Sequence, residues 1–363
     1  MTINLFEPYT DKSEEKVVLD VLRSKFWASG SGVRNVGKFE SKFKKFVNAD
    51  DCLAVNSGTA ALNIAISLLD LKKNDEVIIP SLSFVSTANC VLRNEGKPVF
   101  VDIDPNTLCI DPYKIEKLIT KRTKAILPVH FGGLPCDLEK ILKISKKYKI
   151  KIIEDAAHAT GSVYNKKLIG NHGFAVCFSF HPIKNLGMPT GGLIAINDRN
   201  HKQFRRKIES RRWCGISNRH DDKYEINEIG DNYYLNEISA AIGIEQLKKL
   251  NKMNSIRKKI AKRYFSELEH ESKMPFNNNC SYHLYWICVK NRDSFRKELY
   301  KNGIQTGTHY KPIHKFKLYK AKEQLPITEK IGNQIVTLPI HPNLTDRQVS
   351  KIIALVSTFA KEP

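Results

Sequence analysis

Between about residues 50 and 200, short apolar runs alternate with segments whose apolar residues recur at helical spacing. The runs Glu76–Pro80, Pro98–Val101, Ala125–Val129, Lys151–Glu154, Phe174–Phe180 and Leu193–Ile196 are rich in Val, Ile and Phe. Being apolar on both faces, they predict buried strands of a largely parallel sheet. In the intervening segments, Leu62, Ile66 and Leu69 share one helical face after Ser57-Gly58-Thr59. Asp137 predicts the N-cap of a helix carrying Leu138, Ile141, Leu142 and Ile144. Strand, helix, strand in this order predicts right-handed crossovers and a three-layer α/β domain.

The pattern then changes. A long helix is predicted from Asn236, with Ile238, Ala241, Ile242, Leu247, Leu250 and Met253 at helical spacing. Tyr285–Val289 reads as a strand, and Arg292–Asn302 as a helix stopped by Gly303. Asp346–Phe359 reads as a closing helix with Thr345 as its N-cap. The expected division is a large domain over 1–250 and a smaller α+β domain over 251–363.

With 363 residues, 41% hydrophobic and 27% charged, the chain can build a sizeable core. No apolar stretch approaches the roughly 20 residues needed to cross a bilayer. The N-terminus lacks a basic region followed by an apolar segment, so a cytoplasmic location is expected. The cysteines at 52, 90, 109, 136, 177, 214, 280 and 288 form no C-x-x-C pair, which predicts reduced thiols and no metal site. Lys and Arg number 59 against 38 Asp and Glu, a formal charge of +21. Such a balance suits an anionic partner. Yet the basic residues lie in separate clusters, such as Arg205-Arg206-Lys207 and Lys258-Lys259, without interleaved aromatics. This patterning disfavours nucleic-acid binding. A solvated basic surface fits best, with an anionic substrate second.

Three segments carry candidate chemistry. Ser57-Gly58-Thr59 precedes a helix, whose first amides and dipole suit a phosphate, although the same residues make an ordinary helix-entry turn. Asp155 ends a buried strand, where ligands bind in open α/β sheets, or caps a following helix. His158 is either a cofactor neighbour or a satisfied buried imidazole. Lys184 follows the run Phe178-Ser179-Phe180-His181-Pro182-Ile183 and precedes Gly191-Gly192. A lone lysine after a strand is ordinarily solvated. With Asp155 at another strand end, however, the pair supplies what pyridoxal phosphate (PLP) chemistry needs: an amine for a Schiff base and a carboxylate for the pyridine nitrogen.

The ordered segments Val55–Leu62, Pro80–Asn89, Pro98–Pro105, Pro128–Gly133, Glu154–Ala159, Phe178–Leu186, Gly230–Gly243, Gly307–His314 and Leu338–Pro342 make a specific resemblance. The chain resembles the DegT/DnrJ/EryC1/StrS family of PLP-dependent sugar aminotransferases, within the fold type I aminotransferases. The resemblance implies Lys184 as Schiff-base lysine and proton carrier, Asp155 as pyridinium partner, and His158 beside the ring or its phenolic oxygen. It implies Phe84 stacking on the ring, and Gly58, Thr59 and Ser179 holding the phosphate. Asn232 matches the position that reaches the neighbouring subunit's cofactor, which implies a homodimer with shared active sites. Tyr310 and His314 match positions bordering the substrate. The N-terminal ~30 residues are expected to pack on the small domain or the partner subunit. One departure is Pro189-Thr190-Gly191-Gly192, where many members carry Gly-Glu-Gly-Gly.

The resemblance further implies ping-pong transamination. An amino donor, L-glutamate, leaves its amino group on the cofactor as pyridoxamine phosphate (PMP), and an anionic nucleotide-linked keto-deoxy sugar collects it. A small phosphorylated ketone is the alternative acceptor. A PLP-dependent sugar dehydratase is a further reading, against which the lysine counts, because members with that activity carry histidine there. A nucleic-acid-binding regulator on the same fold rests only on the charge.

Overall fold

The computed structural model describes residues 2–319 and 321–360. Strands β1 (Asp51–Val55), β2 (Glu76–Pro80), β3 (Lys97–Val101), β4 (Thr123–Ile126), β5 (Lys151–Asp155), β6 (Ala175–Ser179) and β7 (Gly192–Ile196) form one seven-stranded sheet in the order β1-β7-β6-β5-β4-β2-β3. The pairs β2–β3, β2–β4, β4–β5 and β5–β6 are parallel. β7 runs antiparallel to both its neighbours, with Gly192 opposite Ser179 on one side and Val55 on the other. The start of β7 therefore meets the ends of β1 and β6 at one edge of the sheet.

The strands are apolar on both faces because they separate two cores. Cys52, Ala54, Ile78, Ile126, Ile152, Val176 and Phe178 join one cluster. Leu53, Val55, Val77, Ile79, Ala125, Ile153 and Cys177 join the other. The predicted strand over Ala125–Val129 forms earlier, at Thr123–Ile126, because Pro128 has no N–H to donate to a ladder. Val129 keeps only an isolated bridge to Asp155. The helix Leu138–Tyr148 is capped by Asp137, as its sequence predicts, but Leu142 is 37% exposed rather than part of its buried face.

Two charged contacts fix the outer helices, one to the sheet and one to each other. Glu40, on the helix Asn35–Val47, accepts from Arg212 Nη1 at 2.6 Å and from the Ala54 N–H at 2.9 Å. Glu237, the first residue of the long helix Glu237–Glu267, accepts from the N–H of Asn35 at 2.8 Å and so caps the helix Asn35–Val47.

The long helix is capped by Asn236 and runs unbroken through residue 250. Beyond it, Tyr285–Cys288 pairs antiparallel with Ile335–Leu338. The helix Arg292–Lys301 ends before Gly303, which has a positive φ of 78°. The helix Asp346–Phe359 begins with a Thr345/Gln348 capping box. The N-terminal strap reaches this region: Ile3 donates to the Gly303 carbonyl at 2.7 Å and accepts from Gln305 at 3.0 Å. All eight cysteines are free, Cys214 exposed and the rest buried. Among the described residues, no helix is long and apolar enough to cross a membrane. Nor could any group of three or more His, Cys, Asp or Glu hold a metal ion.

Glu40→Ala strands the guanidinium of Arg212, which is 1% exposed. A loss of about 3–5 kcal/mol is expected from a shifted denaturant midpoint. A loss under about 1 kcal/mol, the value of a surface pair, would contradict the clamp.

Candidate active site

The edge where β1, β5, β6 and β7 meet carries the chemistry. In the run 178–180 the period-2 alternation of a strand decides which side chains reach it. Phe178 and Phe180 turn together into the core, ring centroids 6.4 Å apart, and pack edge-on against Phe43 at 5.0 and 5.4 Å. Such aromatic pairs add about 1 kcal/mol each beyond their burial. Ser179 faces the other way, toward Gly58: a Cβ built on Gly58 would lie 2.6 Å from the Ser179 Cβ. Only glycine admits this approach of helix Gly58–Ser67 to β6. Ser57 caps that helix by accepting from the Ala60 N–H at 3.1 Å. The first amides of a helix have no intrahelical acceptor. The helix N-terminus, with Ser179 beside it, is therefore a ready anion seat.

Asp155 ends β5 and is 5% exposed. Oδ2 accepts from Thr87 Oγ1 at 2.9 Å, and Oδ1 from the Ala157 N–H at 3.1 Å. The Ala157 bond makes a local turn, and no helix follows for Asp155 to cap. Ser83 Oγ lies 2.8 Å from Thr87 Oγ1 and extends the network. Burial raises the Asp155 pKa above the usual carboxylate value, against the lowering pull of Ala157, Thr87 and Lys184.

Lys184 leaves β6 on a tight turn, its N–H donating to the His181 carbonyl at 2.8 Å. Asn185, the next residue, anchors the turn, its Nδ2 donating to Asn254 Oδ1 at 2.8 Å and the Ser281 carbonyl at 2.7 Å. Desolvation lowers the Lys184 amine to about 8, although the Asp155 carboxylate opposes the shift. Its Nζ lies 3.3 Å from Nε2 of His283.

His158 is buried. Nδ1 accepts from the Gly132 N–H at 3.3 Å, and Nε2 lies 3.1 Å from the Tyr310 hydroxyl. Burial, then the nearby Lys184, holds its pKa well below the usual value, so the ring is neutral. With Nδ1 accepting, its one proton sits on Nε2 and donates to the Tyr310 oxygen. The Tyr310 hydroxyl proton is thereby free to point into the cavity. Burial first, with Lys184 adding, lowers His309 to about 4.

These groups line one cavity of about 410 Å³, within the range of roughly 300–1,000 Å³ common to ligand sites. Gly58, Thr59, Phe84, Asp155, His158, Ser179, Lys184 and Tyr310 all border it. Phe84, 55% exposed, presents its ring to this space, 6.0 Å from that of Tyr310. Two of the residues singled out from sequence lie elsewhere. His314 is buried behind the wall, with Nδ1 2.6 Å from Ser81 Oγ and Nε2 3.2 Å from Glu329. Asn232 is exposed on a neighbouring loop, its carbonyl accepting from Asn56 Nδ2 at 3.1 Å. Thr190 borders the cavity, but its hydroxyl is taken by the Asn56 carbonyl.

Thr87, His283 and His309 were not legible as site residues. His283 lies two residues ahead of a predicted strand, and nothing local signals a partner 99 residues away. The net charge of +21 is not gathered here either: Lys184 is the one Lys or Arg among the described lining residues.

These residues fit PLP. The Gly58–Ser179 cradle with the helix N-terminus suits its phosphate, the exposed Phe84 ring suits a flat partner, and Asp155 is a buried carboxylate that a protonated nitrogen would relieve. The amine that would bond it is already shifted toward its neutral form.

The DegT/DnrJ/EryC1/StrS aminotransferase family model matches residues 8–357. SpsC of Bacillus subtilis, a spore coat polysaccharide biosynthesis protein, is 34% identical, covering 99% of this chain and 98% of its own. Among solved structures, Helicobacter pylori PseC, an aminotransferase involved in the biosynthesis of pseudoaminic acid, aligns with a TM-score of 0.93 and 31% identity. That match covers 99% of this chain and 100% of PseC. The putative sugar aminotransferase Spr1654 of Streptococcus pneumoniae, 25% identical, aligns in its PLP form with a TM-score of 0.93 and in its PMP form with 0.94. Those matches cover 99% of this chain and 99% and 98% of Spr1654.

Gly58→Ala forces Ser179 aside and is expected to weaken PLP binding by about tenfold or more, about 1.4 kcal/mol, in a fluorescence titration. Unchanged affinity would remove the cradle from the account. Because the neutral amine is the nucleophile, PLP capture by cofactor-free protein should accelerate with pH through about 8 and then level. A rate still rising at about pH 10 would match an unperturbed lysine instead.

Proposed function

The chain belongs to the DegT/DnrJ/EryC1/StrS aminotransferase family, and from that premise we propose that this PLP-dependent aminotransferase moves an amino group from L-glutamate to a nucleotide-linked keto-deoxy sugar, in amino-sugar and surface-glycan biosynthesis in the cytoplasm. The observation that carries the reading is the meeting of a desolvated amine, a buried carboxylate and a phosphate cradle in one cavity. Relatives named for polysaccharide and pseudoaminic acid biosynthesis support a sugar acceptor.

PLP, when bound, supplies the electron sink that makes the donor's Cα–H acidic. The rest is the chain's own work. Lys184 Nζ acts first as nucleophile and then as the base and acid that moves a proton within the cavity. Asp155, held by Thr87 and Ala157, would face the pyridine nitrogen and keep it protonated. Gly58, Thr59 and Ser179 would hold the phosphate, with Phe84 and His158 bordering the ring. Tyr310, with its oxygen occupied by His158, has a proton to offer an oxygen on the substrate.

The active form is proposed to be a homodimer with shared sites. Asn232 is exposed outside this chain's own cavity and so is available to a neighbour. Among the described lining residues the Pro189-Thr190 rim carries no carboxylate to meet an incoming anion, and the Thr190 hydroxyl is bonded to backbone. That rim is compatible with an acceptor bearing phosphate, whether a nucleotide sugar or a small phosphorylated ketone.

The acceptor is tested by incubating the holoenzyme and L-glutamate with nucleotide keto sugars and with small phosphorylated ketones, read by mass. A one-unit mass increase in a nucleotide sugar, where a ketone C=O becomes CH–NH2, is expected. Amination of the phosphorylated ketones alone would overturn the sugar assignment. Lys184→Ala should abolish turnover, and Asp155→Asn should lower kcat by about 10²-fold or more. Wild-type rates in either variant would remove that residue from the mechanism.

A further inference from the structure

His283 is 1% exposed, and its Nε2 lies 3.3 Å from Lys184 Nζ. Its Nδ1 is buried and has no hydrogen-bond partner among the described residues. The ring is packed on two sides, stacked on Phe6 at 5.6 Å and tilted against His158 at 4.6 Å. It is carried by a segment tied to the large domain, because Ser281 Oγ donates to the His158 carbonyl at 3.1 Å and Leu284 N–H to the Gly132 carbonyl at 3.2 Å. The ring is thus enclosed with Nδ1 facing no acceptor among the described residues.

Burial first, then the nearby Lys184, holds the His283 pKa well below its ordinary value, so the ring is neutral and carries one proton. On Nδ1 that proton would make a buried N–H with no acceptor. Orphaned N–H groups are rarer in folded proteins than under-used acceptors, and leaving one unmade forfeits its full desolvation cost. The proton therefore belongs on Nε2, where it faces Nζ. An ammonium offers three donors and no acceptor, so an Nε2–H can bond Nζ only through the lone pair of the neutral amine.

We propose that His283 is a positioning residue for the transamination: its Nε2–H holds Lys184 Nζ neutral, with its lone pair fixed in place, whenever that amine is free. The inference rests on the reading of Lys184 as the reactive amine. The other groups acting on Nζ or on His283 do not supply this bias. Asp155 favours the ammonium, while His158, His181 and His309 are held toward neutrality by burial, and Arg257 acts on His283 from the long helix. The bond is given up when Nζ takes a proton.

Two measurements on cofactor-free protein test this. In wild-type protein labelled with 15N-histidine, the long-range NMR spectrum of His283 should show the Nε2–H tautomer; an Nδ1–H tautomer overturns the proposal. His283→Phe keeps the ring packing and removes the donor. Its pH midpoint for PLP capture should rise by about one unit or more from the wild-type value near 8. A lowered midpoint would mean that His283 had been accepting from the ammonium, and it overturns the proposal, as does an unchanged one. His283→Gln, which keeps a donor, should return the midpoint most of the way. If the Phe variant does not fold, the tautomer decides alone. Retained turnover in Lys184→Ala removes the underlying reading; an Nδ1–H tautomer with an inactive Lys184→Ala removes only this inference.

Discussion

Withdrawal of water at the carboxyl edge of the sheet is the constraint on which the site depends. It acts in opposite senses on the two charged groups it encloses. Burial disfavours charge, so it raises the proton affinity of Asp155 and lowers that of Lys184. The carboxylate survives because Thr87 and the Ala157 N–H each serve one of its oxygens. The amine is left close to its neutral, nucleophilic form near pH 8. A site built this way has one carboxylate seeking a cation and one amine ready to attack.

Rigid support is what makes that geometry durable. The Phe43, Phe178 and Phe180 cluster fixes the strand from which Ser179 and the lysine turn emerge. Asn185 pins the turn to the long helix, and the glycine at 58 lets the phosphate cradle close on Ser179. The buried Glu40–Arg212 pair and the cap from Glu237 fix the helices around the same edge. Most of the excess positive charge plays no part in this, lying outside the cavity wall on surface Lys and Arg.

What was legible in the sequence follows from what each signal encodes. Strands buried on both faces appear as unbroken apolar runs, so β2, β3, β5, β6 and β7 were readable nearly to the residue, and the caps at Asp137 and Thr345 marked helix starts. The reversed direction of β7 was not readable, because an apolar run carries no direction. Pro128 moved β4 for a local reason that the apolar pattern alone misses. In the site, Lys184, Asp155, Gly58 and Ser179 were legible because each stands at the end of a predicted element. His283, His309 and Thr87 were not, because their roles come from contacts between distant segments. His314 shows the reverse: a residue in a telling motif whose side chain the fold turns into a Ser81–Glu329 network behind the cavity.

The central claim is that one lysine among many is singled out by its surroundings as the amine that bonds the cofactor. Borohydride reduction of the PLP-loaded protein, followed by peptide mass mapping, tests it most directly. A single phosphopyridoxyl adduct on Lys184 is the predicted result. An adduct on another lysine, or none despite bound PLP, would contradict it.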